Sequence, residues 1–286
     1  MKKLVNLWIL LSFFSLVNAQ EQCGTDQILI RNPFLLETYN SRITCDAPEI
    51  DLDTAQVLTI PIVFHILHLG ETVGEETNIS DEQILSCVRN LNERFRGDTE
   101  AMAQYTNWSG DQSLDASELA LTLDSKIEFC LATRDPNNNP TDGITRHDCS
   151  NLTYEGESYA LDGVANTNME SGVPDSHIKD LFHWPENKYF NCYIVSEIAG
   201  NNGNNGIQGY SVVGSMGLGA TGYRYGPVCL YNVTGDIGEL KAGRAMNATW
   251  AHEIGHALNL YHTFGVAVGA GGGSCDDEPN PCTYGD

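Results

Sequence analysis

The chain has 286 residues, and its 38 acidic side chains against 15 lysines and arginines give a formal net charge of −23. That balance argues against nucleic acid as a partner, whose binding rests on neutralising phosphates; it suits solubility, the steering of basic substrates, or calcium held by oxygen ligands. The length allows one large domain, or one domain with a short pro-segment. Residues 1–19 read as a secretory leader. Lys2 and Lys3 precede an apolar run from Leu4 to Val17, and Ala19 offers a small residue at the cleavage point. The run is too short for a comfortable membrane span, and no later segment is longer, so no stable membrane insertion is expected. The expected location is therefore secreted.

Residues 20–55 form a polar, irregular lead-in that reads as a pro-segment, with Cys23 and Cys45 in it and a helical stretch near Gln27–Tyr39 interrupted by Pro33. The domain proper is expected over 56–286. VLTIPIVFHILH, from Val57, has the β-branched and aromatic content of a buried strand, and Pro61 places part of it at an edge or bulge. Ser80 with Gln83 predicts a capping box, with Asp81 and Glu82 at the positive end of a helix. Ile84, Leu85, Val88, Leu91 and Phe95 follow as one apolar stripe for packing on a sheet. Ser125–Ala132 alternates as a strand, Asp135–Gly143 is a turn-rich loop, and Tyr189–Val195 and Pro227–Tyr231 are further strands. Residues 199–226 read as exposed loops, with Tyr210–Val213 a short edge strand. Strand, helix, strands and a final helix together predict an α+β domain with a mixed twisted sheet.

All nine cysteines lie beyond the leader. In an exported chain they read as disulfides, and the odd count leaves one thiol for another task. Five glycosylation sequons occur, at Asn78, Asn107, Asn151, Asn232 and Asn247.

The richest chemistry lies in HEIGHALNLYH, from His252 to His262. On a helix, four residues turn the chain by about 400°, so His252 and His256 project from one face about a turn apart and can meet one tetrahedral ion. Glu253 lies beside them, placed to act on a water at the metal as general base and then as proton donor to a leaving amine. His262 is six residues on, about 600° round the cylinder, so the helix must stop first. Asn259 is the residue for that left-handed stop. The expected cofactor is Zn²⁺, with His252, His256 and His262 as ligands. Trp250, Ile254, Leu258 and Leu260 are expected to pack, and Ala257 to allow close approach of a neighbour. His65, His68, His147, His177 and His183 lack ligand spacing and read as structural.

These residues, with the blocks IPIVFHILH at Ile60, NISDEQILSCVRNLNERF at Asn78, IEFCLATRDPNNNPTDGITR at Ile127 and GRAMNATWAHE before the zinc motif, resemble the pappalysin and cytophagalysin branch of the metzincins. The resemblance implies a zincin-like domain with an active-site helix, working as a secreted zinc endopeptidase on protein or peptide substrates. It also implies an edge strand that aligns the substrate. Asp276 and Asp277 become candidate Ca²⁺ ligands, and Cys23 a candidate thiolate latency switch of a zymogen. Two departures stand out: Asn259 replaces the usual glycine, and the sequence stops at Asp286 before the family's methionine turn. On that ground part of the C-terminal subdomain is expected to be lacking, with weak or no activity in this chain by itself. The alternatives are an exported noncatalytic metal-binding or interaction module, and a zinc exopeptidase.

Overall fold

The computed structural model describes residues 55–103, 119, 122–166, 170–203, 206–213, 226–241, 248–260 and 262. The leader, Cys23, Cys45, Asp276 and Asp277 lie outside the described residues. In chain order the elements are β1 (Leu58–His68), α1 (Asp81–Phe95), α2 (Thr99–Met102), β2 (Ile127–Leu131), β3 (Ile144–Asp148), β4 (Thr153–Tyr154), β5 (Glu157–Ser158), α3 (Tyr159–Asp162), β6 (Val164–Ala165), β7 (Val173–Pro174), α4 (Asp175–Phe182), β8 (Phe190–Val195), β9 (Gly209–Tyr210), β10 (Val228–Leu230) and α5 (Ala248–Ala257).

The sheet is mixed and built around β1. Its order is β2-β1-β8-β10-β9, and β3 pairs with β1 beyond the end of β2. Every pairing is parallel except β9 with β10, which is antiparallel. Pro61 is accommodated by register. The amides of Leu58 and Phe64 face the β2–β3 side, donating to Lys126 O and Gly143 O, so alternation turns the nitrogen of residue 61 the other way. On that side pairing with β8 begins only at Ile62. The missing N–H therefore costs no ladder bond.

Helices cover both faces, which is why residues 62–67 of β1 are all buried instead of alternating with exposed ones. On one face Phe64 meets the edge of Trp250 in α5, with ring centroids 5.2 Å apart. On the same side α1 is tied to β2 by the Asn92 side chain, which both donates to and accepts from the Phe129 backbone. On the other face His65 stacks on Tyr193, and α4 lies above, with Phe182 stacked on His147.

Helix α1 begins where the sequence places it, with Ser80 Oγ accepting from Gln83 N at 3.2 Å. The reciprocal half of the capping box is absent. The Gln83 amide instead donates to Thr234 O and Tyr231 O, fastening the loop after β10. Leu85 departs from the expected stripe at 55% exposure, and Cys87 takes the buried position in its place. The short edge strand expected at Tyr210–Val213 is β9, one residue earlier at Gly209–Tyr210, and Ile207 and Gln208 before it are buried where an exposed loop is expected.

The disulfide expectation fails for four of the described cysteines. Cys87, Cys130, Cys149 and Cys192 are free thiols. All but Cys130 are buried, acting as small core hydrophobes, and burial pushes the Cys149 thiol up to about 12 and that of Cys192 well above its ordinary value. Among the sequons, the Asn78 side chain is occupied, donating to Glu71 O and accepting from Arg146, so the folded protein does not offer it to a glycan.

Candidate active site

Helix α5 is held in rotation by Trp250. Trp250 is fully buried, and its indole N–H donates to Thr234 Oγ1 at 2.8 Å. That hydroxyl in turn donates to Leu230 O at the end of β10. Anchoring Trp250 to the sheet turns His252, Glu253 and His256 in a fixed direction. Ile254 and Ala257 are fully buried as expected, whereas Leu260 is 63% exposed and does not pack in the core.

The helix ends by a Schellman motif. Leu260 N donates to Gly255 O and Asn259 N to His256 O, both at 2.9 Å. Asn259 has φ +79°, the left-handed conformation the spacing of the histidines calls for. This reversal brings His262 back over the face that carries His252 and His256.

The result is a triangle. The Nε2 atoms of His252, His256 and His262 lie 3.0 Å from one another in all three pairs. Three neutral rings cannot satisfy such a triangle by hydrogen bonds among themselves. The His256 N–H is directed elsewhere, from Nδ1 to Leu260 O at 2.7 Å, which leaves Nε2 as a bare lone pair. Burial first, and the His252 and His262 rings second, hold His256 at a pKa of about 3 despite that hydrogen bond, so the ring is neutral. The donor set fits a cation. Tetrahedral zinc with bonds of about 2.05 Å spaces its nitrogen ligands about 3.3 Å apart, close to the separation observed. The Leu260 carbonyl is the outer partner that fixes the ring's tautomer. Among the described residues these three histidines form the one group arranged to hold a metal ion.

Glu253 is buried, at 1% exposure, against the antiparallel edge of the sheet. A Cβ added to Gly209 of β9 would stand 3.0 Å from Glu253 Cγ, 3.0 Å from Thr249 Cγ2 and 2.9 Å from Cys229 Sγ. The absence of a side chain at 209 thus sets how closely strand and helix approach. Sequence reasoning missed this contact, because Gly209 sits in a glycine- and asparagine-rich stretch where one glycine does not stand out from the rest.

The remaining histidines are structural in the described fold. His65 is fully buried, its two nitrogens bonded to Thr145 Oγ1 at 2.7 Å and Asn191 Oδ1 at 2.8 Å. His147 bonds the same threonine hydroxyl at 2.9 Å. Burial is the main reason both lie well below their ordinary value, His65 at about 3 and His147 at about 4. His183 donates from Nδ1 to Lys179 O, His68 lies beside Glu71, and His177 packs on Tyr154.

The mixed α+β sheet and the histidine triad define a zinc-binding, metalloprotease-like module with metzincin-like architecture. Residues 172–283 match the profile of a peptidase family described as pregnancy-associated plasma protein-A. Among solved structures, the fold is similar to a promirolysin mutant from Tannerella forsythia, at 24% identity and a TM-score of 0.59, covering 86% of this chain and 70% of that one. It is also similar to mature mirolysin of Tannerella forsythia in complex with a cleaved peptide, at 28% identity and a TM-score of 0.52, covering 74% of this chain and 66% of the other. A mirolysin complex with a small compound matches at 26% identity and a TM-score of 0.53, with the same coverages of 74% and 66%. No curated protein matches the chain at a significant level. Among the described residues no helix is long and apolar enough to cross a membrane.

Proposed function

We propose that the protein is a secreted zinc endopeptidase, with His252, His256 and His262 as the metal ligands and Glu253 as general base. The observation that carries this reading is the Nε2 triangle of 3.0 Å sides with a buried glutamate on the same helix. Zinc held by His252, His256 and His262 would supply Lewis-acid polarisation of a scissile carbonyl and would lower the pKa of a water there. The Glu253 carboxylate would be the group that takes a proton from the attacking water and returns it to the leaving amine. Burial against β9 keeps the carboxylate from wandering into solvent. Strand β9, outermost among the described strands on that side of the sheet, is the element we assign to align an extended peptide by strand addition. The buried scaffold around Trp250 orients the helix and excludes water from behind it.

The same reading assigns residues 1–19 to a removed leader, 20–55 to a pro-segment and 56–286 to the peptidase domain, with Cys23 keeping the zymogen latent through its thiolate. Asp276 and Asp277 complete the proposal as calcium ligands. The mirolysin complex with a cleaved peptide is consistent with peptide substrates for this chain.

Two measurements test the core of the reading: zinc stoichiometry of the purified protein, and cleavage of a quenched peptide by wild type and Glu253→Gln. One zinc per chain is expected in both proteins, with cleavage lost only in the variant. Cleavage that survives Glu253→Gln would overturn the assignment. For the latency switch, a thiol-reactive mercurial should activate the precursor, and a Cys23→Ser precursor that stays equally latent would sink it.

A further inference from the structure

We propose that Lys179 and Asp175 of α4 are positioning residues that hold the substrate-aligning edge β9 from behind. The proposal rests on the endopeptidase reading and names the device that sets the height of β9 against Glu253. Lys179 has 0% exposure, an unusual place for an ammonium group, which is stable in a core only when paired. Its Nζ lies 3.1 Å from Asp175 Oδ2 and donates to Gly226 O at 3.0 Å. The same ammonium sits over the rings of Tyr193 and Tyr210, 5.5 and 5.7 Å from their centroids. The other oxygen of Asp175 accepts from Tyr210 O–H at 2.8 Å.

Two chain segments therefore converge on one point of α4: β9 through Tyr210, and the entry to β10 through Gly226. Gly226 is itself closely packed in this arrangement, with no room for a side chain. It has φ +109°, and a Cβ there would stand 2.1 Å from Asn191 O. Strand β9 gains from such an anchor because it is short: among the described residues it pairs with β10 at Tyr210–Val228 and Gly209–Cys229, with one more bond from Leu230 N to Gln208 O. Successive strand residues face opposite sides. Tyr210 thus points to the clamp on α4 while Gly209 lies against Glu253 on α5. Moving Tyr210 moves Gly209, and with it the spacing between the substrate edge and the general base.

A merely structural ion pair would behave differently. Replacing both members of a buried pair with apolar groups of similar size is often neutral or stabilising for the fold. The informative variants are accordingly Lys179→Met/Asp175→Leu, which leaves no unpaired charge, and Tyr210→Phe, which removes one hydroxyl and serves if the double variant fails to fold. Two readouts are needed. Hydrogen exchange of the backbone amides in 206–213, which does not depend on activity, should quicken at least tenfold relative to the rest of the sheet. Cleavage of an extended quenched peptide should lose at least tenfold in kcat/KM, mostly through KM, while a short peptide that cannot span β9 changes less than threefold and zinc stoichiometry stays at one. Unchanged exchange in 206–213, or equal losses for long and short peptides, would overturn the proposal. A wild-type protein that shows no Glu253-dependent cleavage, while exchange still responds to the variants, would instead remove the endopeptidase reading and leave the clamp in place.

Discussion

Gly209→Ala is the sharpest perturbation of the contact between strand and helix. The backbone at 209 is not in the left-handed region, so alanine meets no conformational penalty there; the obstacle is space. The new methyl would face Cys229 Sγ at 2.9 Å and the Glu253 and Thr249 carbons at 3.0 Å each. Carbon pairs are at ease at about 3.5–4.0 Å, so each contact is short by roughly 0.5–1 Å. Two of the three obstacles belong to α5, which Trp250 ties to the sheet through Thr234. Either β9 lifts away or the Glu253 side chain rotates. Overpacking of this kind costs about 1–3 kcal/mol, which lowers Tm by roughly 2–10 °C in a domain of this size. Displacing a catalytic group by about 1 Å costs about a hundredfold in rate, so kcat on a quenched peptide should fall about 10–100-fold. Zinc stoichiometry should remain at one, because the ligands lie clear of the new methyl. A Gly209→Ala enzyme with kcat within twofold of wild type would refute the reasoning.

Asn259→Gly should raise stability by roughly 0.5–1 kcal/mol, since φ +79° is strained for any L residue, and Asn259→Val should lower it and weaken zinc binding together. Thermal melts and a competitive zinc titration would show this, and a valine variant with wild-type zinc affinity would contradict it. His65 and His147, held neutral at about 3 and about 4, should make the fold acid-labile. Their folded values lie below the unfolded value of about 6.5, so their contribution is complete above that pH. It is lost as pH falls, at about 1.4 kcal/mol per pH unit for each histidine. Urea midpoints followed from pH 7 to pH 4 should fall less steeply in His147→Gln, and parallel slopes would refute the assignment.

Much of the fold is legible in the sequence because its signals are local. Ser80 and Gln83 mark the start of α1, β-branched runs mark β1, β8 and β10, and the histidine spacing demands the reversal at Asn259. What escaped reading depends on tertiary partners. Helix α4 is only eight residues long, and its lysine looks like a surface residue until Asp175, Gly226 and two tyrosines surround it. The buried thiols Cys87, Cys149 and Cys192 escaped reading because composition cannot tell a secreted disulfide framework from thiols packed as core hydrophobes. Leu85 and Leu260 were placed inside by spacing alone, and the angular position of their neighbours put them outside.

The order of strands has a consequence for how the molecule comes into being. Strand β1 is the first of the sheet to be made and its most heavily paired member, yet its register partner for Ile62 on one side is Phe190. Until the chain has run that far, one edge of an apolar segment with few charges has no native neighbour. Long-range parallel pairing forms slowly, since a large loop must close before any contact rewards it. A chain made from its amino end therefore carries its stickiest strand unfinished until β8 has been made. Among the described elements the histidine-bearing helix α5 comes after every strand of the sheet, so the metal-binding triad forms on strands that have already been made.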